Sequence, residues 1–147
     1  MIDLAGAARQ WACQQCVVRL FQLLDARSYE DIVQILDPGA VWRPPGAILH
    51  GHEEIRAALH LRPAQRATRH VVANFLVTHD DGALVRASCS LMTYAMESSD
   101  TGVLPSLVEA MVGLFRARVS LTIAAGEVFV SELELAPDWT FARNGVA

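Results

Sequence analysis

The stretch Thr68-Arg69-His70-Val71-Val72-Ala73-Asn74-Phe75-Leu76-Val77-Thr78 decides how this chain is read. It reads as a β-strand, and the dipeptide Asp81-Gly82 that follows suits the positive φ angles of a two-residue hairpin turn. A turn there sets His70, Val72, Asn74, Leu76 and Thr78 opposite Thr93, Leu91, Cys89, Ala87 and Val85. That face is largely apolar, yet it carries an imidazole and an amide. Buried polar side chains need partners, so His70 marks either a structural hydrogen bond or a reaction pocket. The opposite face carries Ser88, Ser90, Arg86 and His79 and is the wetter one.

Working outward, the rest of the C-terminal half keeps the period of two. If Ala124-Ala125-Gly126 is a three-residue turn, Arg118 falls opposite Glu132, Arg116 opposite Glu134, Ala117 opposite Leu133 and Leu121 opposite Phe129. Residues 97–106 contain Ser-Ser-Asp-Thr-Gly and read as a loop over the mouth of a cavity. The N-terminal half is helical. Cys13, Cys16, Val17, Leu20, Leu23 and Leu24 recur at three- and four-residue spacing, which predicts a helix over 3–25. Ser28 suits the N-cap of a second helix over 29–36, ended by Asp37-Pro38-Gly39. A short strand over 40–43, a turn at Pro44-Pro45-Gly46 and a third helix over 53–61 follow. Helices first and four long antiparallel strands after them predict one α+β domain over 1–147, with helices packed on one sheet face.

The composition excludes several function classes. A net charge of −4 and the absence of a basic stripe argue against nucleic acid as a partner. No apolar run approaches the length of a bilayer span, and there is no basic leader, so a cytoplasmic protein is expected. Three cysteines suit a reducing compartment. Cys13-x-x-Cys16 lies inside a helical pattern without a second pair, and His50, His52 and His60 match no common ligand spacing, so no metal is expected. At 52% hydrophobic the chain has apolar surface to bury in an oligomer or around a pocket. Met92, Tyr94, Val112 and Leu114 fall on the face away from the helices and predict a homo-oligomer through the convex sheet face.

Asp25 is the second notable residue. It ends the first helix, where the macrodipole disfavours a carboxylate, so something must offset it. Either it accepts hydrogen bonds from the turn at Arg27 to Tyr29, or it faces the sheet within reach of His70. In the second case it would fix the imidazole's tautomer and stabilise the imidazolium formed on proton abstraction.

Leu24-Asp25-Ala26-Arg27-Ser28-Tyr29-Glu30, Ala40-Val41-Trp42, Gly51-x-x-x-Ile55 and Arg69-His70-x-x-x-Asn74 resemble the SnoaL-like branch of the nuclear transport factor 2-like superfamily. The likeness spans almost the whole chain. It implies a cone, in which a curved antiparallel sheet wraps round the N-terminal helices and encloses an apolar pocket. Scytalone dehydratases and hexachlorocyclohexane dehydrochlorinases of that superfamily abstract protons with an Asp–His dyad. His70 matches the family histidine and Asp25 matches the dehydrochlorinase aspartate, while the scytalone dehydratase aspartate falls nearer Gln22, and Trp42 is similar in position to a dehydrochlorinase pocket tryptophan. The resemblance implies a pocket bounded by Trp42, Phe21, Asn74, Cys89 and Leu91 and a cofactor-independent lyase or isomerase acting on a hydrophobic cyclic or aromatic molecule. His70 would be the base, Asp25 its orienting partner and Asn74 a donor to a substrate oxygen. The same segments are similar to the small β subunits of aromatic-ring-hydroxylating dioxygenases, which would make the chain a non-catalytic accessory subunit. A ligand-binding protein without catalysis is the third reading.

Overall fold

The computed structural model describes residues 4–97 and 110–140, so most of the expected loop at 97–106 lies outside the described residues. Among the described residues three helices, α1 (Leu4–Asp25), α2 (Tyr29–Gln34) and α3 (Gly51–His60), accompany six strands: β1 (Leu36–Arg43), β2 (Leu49–His50), β3 (Arg66–Asp80), β4 (Leu84–Glu97), β5 (Met111–Ala124) and β6 (Glu127–Thr140). They form one curved open sheet in the order β2-β1-β6-β5-β4-β3. The four long strands are antiparallel, as expected. β1 extends the sheet by pairing parallel to β6, setting Trp42 beside Leu133, and β2 then pairs antiparallel to β1.

The core lies between α1 and the concave sheet face. Cys13, Val17, Leu20 and Phe21 come from one stripe of α1 and meet Val85, Leu91, Ala117 and Leu121, all at most 1% exposed. Strand parity explains the second set, because Val85, Ala87, Cys89 and Leu91 alternate with half-exposed neighbours.

The β3–β4 hairpin follows the expected register at its outer end, where His70 pairs with Thr93 and Val72 with Leu91. It departs at Asn74, whose φ of +53° breaks the ladder between Ala73 and Leu76. One extra residue reverses the faces of a strand. Beyond it Phe75 and Val77 pack on the core while Asn74 and Leu76, the latter 62% exposed, face outward. The expected pairs Asn74 with Cys89 and Leu76 with Ala87 are therefore replaced. The turn also differs: Asp81 N donates to Leu84 O, and Gly82, at φ +93°, is the first of two central residues.

The last hairpin slips by one residue at its turn end, where Leu121 pairs with Val130 rather than Phe129, and by two from Ser120 to Phe115, where Ala117 pairs with Leu135. Its turn is Ala125-Gly126, both at positive φ, and a second irregularity near Ser131 adds another residue. Arg118 thus lies opposite Glu134, at 3.4 Å, rather than Glu132. An even slip preserves which side chains share a face. Arg116 meets Asp138 instead of Glu134, and Glu132 pairs with Arg43. Ser28 precedes α2 but makes no side-chain cap, and α2 ends at Gln34, earlier than expected.

Candidate active site

The C-terminus of α1 positions the first functional side chain. Arg27 adopts φ +59°, its N–H donates to Leu24 O, and Ser28 N–H donates to Leu23 O. This pair of bonds is the Schellman pattern that closes a helix on its own carbonyls. The turn therefore does not use the Asp25 carboxylate. That carboxylate points at β3 and accepts three hydrogen bonds: from His70 Nδ1 at 2.6 Å and Thr68 Oγ1 at 2.9 Å on Oδ1, and from His70 N at 2.8 Å on Oδ2. The cost of a carboxylate at a helix C-terminus is offset by these donors and by Arg62, whose Nη1 donates to Leu24 O at 2.9 Å.

His70 is held just as closely. Its side chain is 9% exposed, its ring lies 5.3 Å from that of Phe21, and its Nδ1 faces a carboxylate. Because the carboxylate can only accept, Nδ1 carries the proton and Nε2 keeps its lone pair in the neutral ring. Burial pushes the pKa of His70 below its ordinary value, Asp25 pulls it back up, and the Arg62 charge lowers it further. The lowering wins, so the ring is neutral at pH 7.

His70 forms part of the wall of a cavity of about 400 Å³, walled mostly by apolar side chains. Trp42 of β1, Leu24 of α1, Leu59 of α3, Leu91 of β4 and Phe115 of β5 line it. The buried Trp42 indole N–H finds no acceptor among the described residues. A larger groove of about 520 Å³ lies on the other sheet face, but it is lined by Arg86, Arg116, Arg118, Glu132 and Glu134, a solvated ionic surface. Geometry and chemistry favour the smaller cavity as the site.

The structure brings together Asp25, His70, Trp42 and Leu91, and leaves three expected pocket residues elsewhere. Asn74 sits past the bulge on the outer face, where its amide donates to Ser90 Oγ at 3.4 Å, so it cannot donate to a ligand in this cavity. Cys89 is buried in the core, 3% exposed, and burial pushes its thiol up to about 11. Phe21 backs the His70 ring without lining the cavity. Val112, expected on the convex face, lines the cavity because the ladder is irregular between Thr93 and Tyr94. The two polar side chains that buttress the Asp25–His70 contact, Thr68 and Arg62, were not expected. Thr68 stands two residues before His70 on the same strand face, a signal strand periodicity contains. Arg62 comes from the connection after α3, where no periodicity points to it.

Among the described residues no group of three or more His, Cys, Asp or Glu is placed to hold a metal, and no helix is long and apolar enough to cross a membrane. The Cys16 thiol, pushed up to about 11 by burial, donates to Val128 O, so the C-x-x-C pair is packed into the helix–sheet core.

A curved sheet on N-terminal helices, with an apolar cavity beside the Asp–His contact, is a fold of the nuclear transport factor 2-like type. The SnoaL-like domain profile matches residues 7–133, and the chain belongs to that family. No curated protein matches it. Among solved structures, a Catenulispora acidiphila protein in complex with S-DNPA is 22% identical, covering 90% of this chain and 95% of that one, with a TM-score of 0.74. A Novosphingobium aromaticivorans protein provisionally named a scytalone dehydratase is 12% identical over 97% and 92% of the chains, with a TM-score of 0.75. Another from that organism, provisionally named an aromatic ring hydroxylase, is 14% identical over 88% and 89%, also with a TM-score of 0.75. At these identities the likeness is one of fold.

Proposed function

We propose that the protein is a cofactor-independent lyase or isomerase in which His70 Nε2 abstracts a proton from a hydrophobic cyclic or aromatic substrate. The observation that carries this reading is the 2.6 Å contact from His70 Nδ1 to Asp25 Oδ1 behind a ring that lines the cavity. A neutral imidazole with its lone pair on Nε2 is a competent base at pH 7, and the carboxylate behind it stabilises the imidazolium that forms. The apolar walls would hold the ring system of a substrate and exclude water, with His70, Arg62, Arg66 and Thr93 among the polar side chains of the lining. Asn74, on the outer face, has no part in this chemistry.

Deuterium exchange tests the reading without knowledge of the natural substrate. In heavy water the protein should speed exchange at the carbon next to the carbonyl of a bicyclic ketone such as 2-tetralone, and His70→Gln should slow it about a hundredfold. Equal rates for the two proteins across a panel of such ketones would leave a binding or accessory role in its place.

The convex face supports a second, compatible proposal. Val71 pairs with Met92, Met92 with Leu114 and Leu114 with Trp139, an apolar row across four strands with Val71 44% and Trp139 69% exposed. A second copy of the chain would cover this row in a homodimer.

A further inference from the structure

Thr68 is the one polar side chain in the buried core set among the described residues, 7% exposed. Its hydroxyl is used twice. It accepts from Arg62 Nη2 at 2.9 Å and donates to Asp25 Oδ1 at 2.9 Å. A guanidinium has donors only, so the first bond runs in one direction, and it turns the single hydroxyl proton toward the carboxylate. Arg62 is itself held by its bond to Leu24 O.

We propose that Arg62 and Thr68 are positioning residues for the Asp25–His70 pair: they hold the carboxylate in place behind the ring and take up part of its charge, so that His70 rests as the neutral base with its lone pair on Nε2. The functional meaning rests on the reading of His70 as a base, but the direction of the bonds does not. A threonine that only filled space on this strand would be replaceable by valine, which has the same shape and suits a strand as well. What valine cannot supply is the donor that spreads the carboxylate's charge. Without it more of that charge falls on the imidazole, favouring the imidazolium. Losing the Arg62 charge acts in the same direction. The groups facing His70 are few: Asp25 from α1 and Arg62 after α3, with Arg66 at the start of β3 in the same cavity wall. Among the described residues β4, β5 and β6 present no charged side chain to the cavity.

The experiment is a pH titration of the His70 ring nitrogens by NMR in the ¹⁵N-labelled full chain, which needs no ligand. The wild type should show one neutral tautomer, protonated on Nδ1. Thr68→Val should raise the midpoint by about half to one pH unit, the scale of one ordinary hydrogen bond. Thr68→Ser should restore it. Arg62→Gln should raise the midpoint too, and it serves should Thr68→Val not fold. A folded Thr68→Val or Arg62→Gln protein with the wild-type midpoint overturns the proposal. If His70→Gln leaves ketone exchange untouched while Thr68→Val still moves the titration, the base assignment falls and the positioning role stands.

Discussion

Asp25 and His70 are joined twice: one carboxylate oxygen accepts from the backbone N–H of His70 and the other from its ring. The double bond ties the end of α1 to β3 and fixes the ring at the same time. Replacing Asp25 with Asn puts an amide N–H₂ against the His70 backbone N–H in one orientation, and in the other against His70 Nδ1, which can accept it only by shifting its proton to Nε2 and losing the base. Asp25→Asn should therefore lose about 2–3 kcal/mol of stability in urea unfolding, along with most ketone exchange. The double variant with His70→Gln should exchange no more slowly than the poorer single variant, because the two act as a unit. A loss of stability within measurement error would show that the contact carries little weight.

The pH dependence of stability follows from the lowered pKa of His70. The folded ring releases its proton more readily than the unfolded one, whose ordinary value is 6.5. As pH falls through 6.5 toward the folded value, the unfolded chain binds the proton first, so stability falls in that window and levels off below it. Wild type should lose stability there relative to His70→Gln, as read by thermal unfolding at a series of pH values. Parallel curves for the two proteins contradict the assignment.

Asn74 offers a test of the bulge. Its φ of +53° is tolerated by Asn and Gly but opposed by a β-branched side chain. Asn74→Val should cost about 1–2 kcal/mol, and Asn74→Gly should be neutral to within a few tenths. If valine is harmless, the strand runs straight and Leu76 faces the core.

The convex row predicts self-association. Met92 sits between Val71 and Leu114, so Met92→Glu places a charge at its centre. Light scattering should then move from dimer to monomer while the circular dichroism spectrum holds. A wild-type chain that is monomeric at micromolar concentration removes the proposal.

The parts of this structure legible in the sequence are those where apolar alternation leaves one choice. Around His70 and Leu91 the observed pairing is the expected one, and it holds from the start of β3 to Ala73. From Val71 to Val77 both faces of β3 are apolar enough to be buried, so alternation could not exclude a reversal, and the conformation of one asparagine decided it. In the last hairpin the Arg–Glu pattern repeats every two residues and fits two registers equally, hence the slip. Asp25 stood out because a carboxylate at a helix C-terminus needs compensation. His70 was one expected source of it; Arg62 was hidden, since it reaches the helix end from an irregular connection.

Arg27 has a further consequence. Its guanidinium donates to the carbonyls of Pro63, Arg66 and Arg62, tying the connection that carries Arg62 to the corner between α1 and α2. The connection, the helix end and the cavity wall therefore share one brace, anchored by a half-turn of backbone rather than by the core. A substitution at Arg27, which touches neither Asp25 nor His70, would be felt as slack in the imidazole.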